Sequence, residues 1–348
     1  MKRIIYVIYL LIIFLATAYL SIEIIQANYK GTSSIIGKFI FSIRQAFSSS
    51  SFNESQLIQE LEKYASGEIE EICKGEGREK EFCGGEKNSE GFKDYEHSIE
   101  KPNNTFRIIA LGDSMTEGPC MKINNTWPKQ LEAKLNKLNL SVKFEVFNFG
   151  ICGAGTLEEV KVFEEFGLKY SPDMVILQFY GNDWEDTLWM KNRSTELWEE
   201  YQQGKFKLPQ KVERRYKELN LTTSDIARLI SFIAANEFWS KAKERGLLEV
   251  WKENVEKPLL HLISLCEDKN ISLIVVTWDI GWGNELELQY PQSTLLKKIL
   301  KEKILFMNLS SDLPNNSRIR LPDGHLSEAG YDIVSDKILD IIIKSYFS

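Results

Sequence analysis

From residue 105 onward, short apolar runs alternate with stretches of helical periodicity. The apolar runs lie at residues 107–111, 144–149, 174–179, 272–277 and 304–308. Their near-continuous apolar content is typical of strands in a parallel sheet that is covered on both faces. Helical periodicity follows them at residues 126–138, 157–166, 254–268 and 327–344. The alternation predicts an α/β fold with a parallel sheet of about five strands between layers of helices.

One interval in this alternation is much longer than the others. Residues 185–250 are rich in Trp, Glu and Lys and show helical periodicity without any strand signal. Connections of this length are uncommon inside a domain, so we expect a helical insertion over the sheet edge. The tryptophans in and beside it either contact substrate or pack the insertion onto the body of the domain. They are Trp184, Trp189, Trp198, Trp239 and Trp251.

The N-terminal stretch has a different pattern. Lys2 and Arg3 precede residues 4–25, which are almost entirely apolar. This length is close to the ~20 residues that a helix needs to cross a bilayer, and the positive flank predicts a cytoplasmic N-terminus. We expect residues 1–25 to be a transmembrane anchor, with the folded domain outside the cytoplasm, periplasmic or extracellular. The Ala-Thr-Ala sequence at residues 16–18 leaves a cleaved signal peptide, and a secreted protein, as the alternative.

Residues 26–104 lack the alternation seen further along the chain. They are rich in Glu and Lys, with glycine-rich patches around Cys73 and Cys83, and only residues 54–65 show helical periodicity. Such a composition is typical of a linker. We therefore expect a stalk at residues 26–104, followed by one folded domain at residues 105–348.

Composition excludes several functional classes. The net charge of −7 over 348 residues argues against a nucleic-acid-binding surface. The five cysteines are too few for a disulfide scaffold and lack zinc-ligand spacing. Neither a metal nor a cofactor is expected. Cys120 and Cys152 follow two strands at the same sheet edge, so they are expected to form a disulfide, with two buried thiols as the alternative. Cys73 and Cys83 are a second candidate pair.

A serine follows the first predicted strand at once, in the sequence Gly112-Asp113-Ser114. The carboxyl ends of the strands of an open α/β sheet are where ligands bind. A serine hydroxyl is a weak nucleophile at neutral pH, so catalysis by Ser114 would need a base and donors for an oxyanion. The alternative is a simple turn in which Ser114 caps the following helix.

Three further polar segments belong to the same edge of the predicted sheet. The second strand leads into a glycine-rich loop that includes Gly153, where backbone N–H groups can approach a ligand closely. The third strand leads into a Gly-Asn-Asp turn, and the Asn182 amide can donate to an oxyanion. Asp323 and His325 precede the last predicted helix, close enough in sequence to pair. Each segment taken alone could equally be an ordinary turn or helix cap.

The order of these four segments resembles the SGNH, or GDSL, hydrolase superfamily over residues 106–345. The resemblance implies a three-layer α/β/α, flavodoxin-like fold. It also implies that Ser114 is the nucleophile and that its backbone N–H donates to the oxyanion. Gly153 would supply a second backbone donor and Asn182 a side-chain donor. The insertion has no counterpart in this resemblance.

The same resemblance implies His325 as the general base and Asp323 as the acid that orients it. Only Gly324 separates the two, whereas two intervening residues are usual in the family. The implied activity is that of a serine esterase acting on an ester of a small molecule, glycan or lipid, O-acetylated polysaccharides included. The alternatives are an O-acetyltransferase and a catalytically idle carbohydrate-binding module. His97 and His261, in the stalk and in a helix, are expected to be dispensable.

Overall fold

A computed structural model of the chain describes residues 54–65, 73, 85–138, 140–185, 187–278, 286, 291–300, 304–321 and 323–347. The anchor predicted at residues 1–25 lies outside the described residues. Within the described ranges, no helix is both long enough and apolar enough to cross a bilayer. The larger of the chain's two units comprises Asn53–Ile280 and Gln292–Ser348, and it holds the sheet with its flanking helices.

The centre of this unit is a parallel sheet in which the described residues form five strands. They are β1 Thr105–Gly112, β2 Lys143–Gly150, β3 Met174–Phe179, β4 Ser272–Thr277 and β5 Leu305–Asn308, in the spatial order β2-β1-β3-β4-β5. Every neighbouring pair is parallel, and Gly112 lies opposite Gly150. Successive strands lie on opposite sides of β1, which makes the β1/β3 boundary a topological switch point. Open α/β sheets bind ligands beyond the carboxyl ends of the strands at such a point.

Helices cover both faces of the sheet and fill the long interval between β3 and β4. In chain order they are α1 Glu54–Ala65, α2 Ser114–Glu117, α3 Trp127–Lys137, α4 Thr156–Val162, α5 Thr187–Gln202, α6 Gln210–Glu218, α7 Thr223–Arg245, α8 Leu247–Trp251, α9 Lys257–Asp268, α10 Gln292–Leu300 and α11 Glu328–Ile342. α3 and α11 pack together over one face, whereas α4 and α9 pack together over the other. The three-layer α/β/α fold is therefore confirmed.

Local signals explain where several helices begin and end. Pro128 lies in the first turn of α3, where its missing N–H costs nothing. The Asp225 carboxylate accepts the Thr222 N–H at 2.7 Å at the start of α7, and Gly246 ends that helix with φ 90°. Ser327 caps α11 by accepting the N–H of the residue three positions on. These local contacts satisfy helix-end groups that would otherwise lack partners.

The predicted strands are all present, because continuous apolar runs suit strands that are buried on both faces. β3 and β4 have the predicted bounds, and the other three differ from them by one or two residues at an end. α1 also has its predicted bounds. The helix expected at residues 157–166 is divided into α4 and a π-turn at Phe163–Gly167.

The long interval forms α5, α6, α7 and α8, with no strand among its described residues. The apolar side chains of this segment form a cluster of their own, which also includes Leu57 and Leu61 of α1. Trp184 and Trp251 are almost fully buried, at 0% and 1% exposure. The packing alternative therefore holds for these two tryptophans, whereas Trp189, Trp198 and Trp239 remain partly exposed.

Residues 85–104 pack against β2, which differs from the stalk expected at residues 26–104. Phe92 stacks on Phe149 with ring centroids 4.3 Å apart, and His97 stacks on Phe147 at 3.8 Å. The physical reason is the position of β2 at the sheet edge, where aromatic side chains need a cover. Isolated aromatic residues in a polar stretch produce no periodic pattern, so the sequence did not indicate this cover.

The disulfide pairing also differs from the prediction. Cys120 is bonded to Cys73, with Cα atoms 5.0 Å apart, so neither the Cys120–Cys152 pair nor the Cys73–Cys83 pair forms. Cys152 is disulfide-bonded as well, and the buried Cys266 is a free thiol. Cys120 lies in the core under α3, whereas Cys152 is half-buried on the loop after β2. A common sheet edge therefore does not bring these two cysteines together, because one is buried in the core and the other is half-buried.

Candidate active site

The turn from β1 into α2 presents Ser114 at the carboxyl edge of the sheet. Ser114 is the first residue of α2, and the Asp113 carboxylate caps the helix by accepting the Met115 N–H at 2.8 Å. A Cβ on Gly112 would lie 2.3 Å from Thr116 Oγ1, so only glycine fits there. Because Asp113 provides the cap, the alternative in which Ser114 serves as a helix cap does not hold.

The structure brings Ser114, His325 and Asp323 together in a hydrogen-bonded chain. Ser114 Oγ lies 2.8 Å from His325 Nε2, although 211 positions separate the two residues. His325 Nδ1 lies 2.6 Å from Asp323 Oδ2, and the His325 backbone N–H donates to Oδ1 at 3.2 Å. Burial would raise the pKa of Asp323, but the hydrogen bonds and charge of His325 outweigh it and lower that pKa. An ionised Asp323 places the imidazole proton on Nδ1, which leaves the Nε2 lone pair for Ser114.

A short hairpin holds the Asp323–His325 segment in place. Gly324 has φ 96°, a value that favours glycine. The Arg320 guanidinium donates to the Gly324 carbonyl at 3.0 Å and to the Leu313 carbonyl at 3.2 Å. Sequence reasoning missed Arg320, because nothing in its spacing indicated that it holds this turn.

Gly153 and Asn182 lie on the loops that follow β2 and β3, the two neighbours of β1. The Ile151 N–H donates at 3.0 Å to the carbonyl of the last residue of β1. The Thr156 N–H donates at 2.9 Å to the Asp183 carbonyl, which ties the two loops together. The site residues predicted from sequence therefore come from three adjacent strands and the segment before α11, and all belong to one edge of the sheet.

Three N–H donors at this edge have no acceptor within the part of the chain that the structure describes. Among the described residues, no group accepts the backbone N–H of Ser114, the backbone N–H of Gly153 or the side-chain amide of Asn182. Gly153 has φ 73°, and a Cβ added to it would meet nothing within 4 Å. The Asn182 Oδ1 is buried and also lacks a partner within the described ranges. Unsatisfied donors at the sheet edge that carries the Ser114 hydroxyl are suited to stabilise a developing negative charge.

Buried carboxyl groups lie behind the serine. Burial raises the pKa of Asp113 to about 6. Burial, together with the charge of Asp113, raises the pKa of Glu159 well above its ordinary value. Burial, together with the charge of Glu159, likewise raises the pKa of Asp183. The raised pKa values of Glu159 and Asp183 favour their neutral forms, because burial disfavours a charged carboxylate behind Ser114. Glu159 was missed because its position in α4 looks like an ordinary helical one. Within the described ranges, no cluster of His, Cys, Asp or Glu could hold a metal ion.

Comparison with protein families agrees with this geometry. The family model of the GDSL-like lipases/acylhydrolases matches residues 108–338, well over half of the chain. The fold and the match define a serine hydrolase of the esterase and acylhydrolase class. The chain belongs to the GDSL, or SGNH, hydrolase family, as the order of its sequence motifs implied.

Several solved structures are similar to this chain at low identity. The lipase/acylhydrolase from Enterococcus faecalis shares 14% identity, with 68% of this chain and 95% of that chain covered and a TM-score of 0.39. The psychrotrophic esterase EstA from Pseudoalteromonas sp. shares 15%, with 70% and 98% covered and a TM-score of 0.40. The acetyl xylan esterase AlAXEase shares 16%, with 68% and 100% covered and a TM-score of 0.39. No curated protein matches the chain.

Proposed function

We propose that the protein is a serine esterase that cleaves a carboxylic ester through an acyl-enzyme at Ser114. The observation that carries the proposal is the hydrogen-bonded chain from Ser114 Oγ to His325 Nε2 at 2.8 Å and from His325 Nδ1 to Asp323 at 2.6 Å. A nucleophile, a base and an orienting acid in this order are what activation of a hydroxyl requires.

In the first step, Ser114 Oγ attacks the ester carbonyl while His325 Nε2 takes the hydroxyl proton. The negative charge of Asp323 stabilises the imidazolium that forms. The oxyanion of the tetrahedral intermediate accepts hydrogen bonds from the backbone N–H groups of Ser114 and Gly153 and from Asn182 Nδ2. One such donor contributes roughly 3–4 kcal/mol to transition-state stabilisation. His325 then gives its proton to the leaving alcohol, and the acyl group stays on Ser114.

In the second step, an acceptor hydroxyl attacks the acyl-enzyme with His325 again as base. Water as the acceptor completes hydrolysis and regenerates Ser114. A sugar hydroxyl as the acceptor would make the same site an O-acetyltransferase. Adding acceptor glycans to the assay distinguishes the two, because a transferase forms a new glycan ester and an esterase releases the free acid.

O-acetylated polysaccharide is the substrate class that we propose. Trp184 is buried and lies two positions after Asn182. The Trp239 ring packs edge-on against the Trp184 ring, with ring centroids 4.8 Å apart. Trp189 is partly exposed on α5 and lies under the Lys241 ammonium at 4.5 Å. Aromatic rings on the segment that directly follows an oxyanion donor are well placed to stack on a sugar ring. This arrangement supports a glycan ester over a long-chain lipid ester.

We propose that this enzyme is located outside the cytoplasm and that residues 1–25 are its membrane anchor. The apolar stretch and its basic flank support the anchor. The Cys73–Cys120 bond and the disulfide of Cys152 support an oxidising compartment, since disulfides persist mainly there. Fractionation with protease accessibility on intact cells tests the proposal. A soluble, cytoplasmic full-length protein would contradict it.

Substitution of the three residues of the hydrogen-bonded chain tests the catalytic assignment. Ser114→Ala should abolish turnover of acetyl esters while the protein stays folded, because little packing is lost. His325→Ala should be nearly as damaging, since the two residues act as a unit. Asp323→Asn should lower kcat by about 10²- to 10⁴-fold, because an amide no longer selects the required tautomer. His261→Ala is the matched control: this exposed histidine bonds Glu164 and should be dispensable.

The outcome also separates an enzyme from a binding module. Full turnover by Ser114→Ala would refute the proposal. A wild-type protein that binds glycan and turns over no ester would indicate a carbohydrate-binding module on the same fold. Labelling of Ser114 by a fluorophosphonate, lost in the His325→Ala variant, would support the acyl-serine route independently of the natural substrate.

A further inference from the structure

We infer that Glu117 is a positioning residue that holds the Gly153 donor in register with Ser114. The inference rests on the proposed function and assigns a role to a residue outside the Ser114–His325–Asp323 chain. Glu117 is the last residue of α2, the helix that begins at Ser114, and only 3% of it is exposed. Its Oε2 accepts the backbone N–H of Cys152 at 2.5 Å, and Cys152 directly precedes Gly153.

A second contact joins the same two segments through their backbones. A Cβ on Gly150 would lie 2.2 Å from the Glu117 backbone nitrogen, so α2 rests directly on the end of β2. Asn148 reinforces this contact, since its amide donates to the Glu117 carbonyl at 3.5 Å and its oxygen accepts the Gly150 N–H at 3.0 Å. The backbone contact fixes the start of the loop, and the Glu117 carboxylate fixes its next turn.

The carboxylate suits this role because it can only accept hydrogen bonds. The Glu117 end of this hydrogen bond is buried and the Cys152 N–H is half-buried, so loss of the acceptor would leave a poorly solvated donor without its partner. Lys87 Nζ lies 3.6 Å from Glu117 Oε1 and offsets the charge from the solvent side. Without the carboxylate, the loop would keep the Ile151 bond to β1 and the disulfide of Cys152 but lose the hydrogen bond nearest Gly153, so the Gly153 N–H would shift relative to the oxyanion.

A positioning role predicts an effect on kcat with little effect on KM. The Gly153 N–H meets the oxyanion of the transition state, whereas the bound ester makes weaker use of it. Complete loss of one oxyanion donor costs about 10²- to 10³-fold in rate, so misplacement of the donor should cost about 10- to 100-fold. A purely structural role would instead lower the fraction of folded enzyme and leave the kcat of the folded fraction unchanged.

Glu117→Gln and Glu117→Met form the decisive pair of variants. The two side chains have similar volume, but only Gln keeps an oxygen that can accept the Cys152 N–H. We expect Glu117→Gln to stay within about 5-fold of wild-type kcat, and Glu117→Met to fall about 10- to 100-fold at nearly unchanged KM. The affinity of an alkyl boronic acid, which forms a tetrahedral adduct on serine, should fall in parallel with kcat.

Glu132→Met is the matched control, because Glu132 Oε2 also accepts a backbone N–H of β2, that of Val146, at 2.7 Å. That bond joins α3 to β2 away from Gly153, so its loss should lower thermal stability and spare kcat per folded molecule. Equal kcat in Glu117→Met and Glu117→Gln would overturn the positioning role. If Glu117→Met does not fold, the kcat of Glu117→Gln decides. A kcat more than about 10-fold below wild type would overturn the positioning role, and a kcat within about 5-fold of wild type would support it.

The proposed function fails on a different result. Retention of turnover by Ser114→Ala would remove the acyl-serine mechanism itself. Wild-type kcat in Glu117→Met, together with an inactive Ser114→Ala, would remove only the role of Glu117.

Discussion

At the residue scale, two glycines on the segment that ends β2 meet different steric demands. Gly150 has no room for a side chain, since its Cβ would lie 2.2 Å from the Glu117 nitrogen and 2.6 Å from the Thr116 carbonyl carbon. Gly153 has open space around it and needs glycine only for its φ of 73°. One position is therefore limited by packing against α2 and the other by backbone conformation.

These demands predict unequal effects of alanine. Gly150→Ala should prevent folding or displace α2, because two backbone segments cannot both move aside. Gly153→Ala should fold with a loss of about 1–2 kcal/mol in the free energy of unfolding, the cost of a left-handed conformation for an L-residue. Thermal denaturation and ester turnover of both variants check this. Equal destabilisation by the two substitutions would contradict it.

At the element scale, a disulfide joins Cys73 to Cys120 on the loop after α2. The bond closes a sequence separation of 47 residues, which restricts the unfolded chain considerably. Cys120 lies six positions after Ser114, so the bond also limits movement of the loop that follows Ser114.

Loss of this bond should destabilise the protein by about 2–4 kcal/mol. Cys73→Ser, Cys120→Ser and the double variant should be equally destabilised, because each removes the same single cross-link. Chemical denaturation of the three variants under non-reducing conditions measures the effect. An additive loss in the double variant would contradict the pairing of these two cysteines.

The tryptophans of the helices between β3 and β4 are expected to have two different roles, core packing and substrate contact. Trp251 is buried and donates from Nε1 to Gln292 at 3.0 Å, so Trp251→Ala should cost about 3–5 kcal/mol in stability. Trp239→Ala should fold and should raise KM for glycan esters more than for a small ester such as phenyl acetate. Trp198 stacks on Tyr201 within the separate apolar cluster, and Trp198→Ala is the control for selectivity. Unchanged relative KM in a folded Trp239→Ala variant would refute the substrate contact.

At the scale of the whole molecule, Asp94 connects three parts of the chain that are distant in sequence. It is 2% exposed and pairs with His97 at 2.9 Å and with Lys129 of α3 at 3.3 Å. It also accepts the Asn148 N–H of β2 at 2.8 Å. Burial would raise the pKa of Asp94, but the contacts with His97, Lys129 and Asn148 outweigh it and lower that pKa.

A lowered pKa makes stability depend on pH with a definite sign. The unfolded chain binds the Asp94 proton more readily than the folded protein does. Ionised Asp94 therefore stabilises the fold above its ordinary pKa of 3.8, and this stabilisation is lost as pH falls through the lowered pKa of the folded state. Asp94→Asn should cost about 3 kcal/mol at pH 7, because Lys129 stays buried with fewer partners. The difference from wild type should shrink below about pH 4. Denaturant titrations from pH 3 to pH 7 measure it, and a difference independent of pH would contradict the assignment.

A surface pair provides the control for this pH dependence. Glu249 and Lys252 lie 2.8 Å apart on an exposed helix face. Glu249→Gln should change the free energy of unfolding by less than about 1 kcal/mol, since exposed pairs contribute little.

The sequence by itself determined the sheet and the edge at which the site forms. β3 and β4 were predictable to the residue, because strands buried on both faces must be continuously apolar. The segments that carry Ser114, Gly153 and Asn182 were predictable because each follows a strand, and parallel strands bring their carboxyl ends to one edge. The choice of Gly153 among the glycines of its loop came from the family resemblance. Motif order implied the partnership of Ser114 with His325, and family membership followed from the same motifs.

Only the tertiary structure decided which distant groups meet away from those motifs. Cys120 pairs with Cys73 across 47 positions of sequence, and neither the spacing nor the composition of the chain indicates that pairing. Phe92 covers β2 as a single aromatic residue without periodic neighbours. The bond from Glu117 to the Cys152 N–H joins a side chain to a backbone group, and backbone groups are the same at every position. Contacts of this kind depend on three-dimensional packing, which local sequence patterns do not specify.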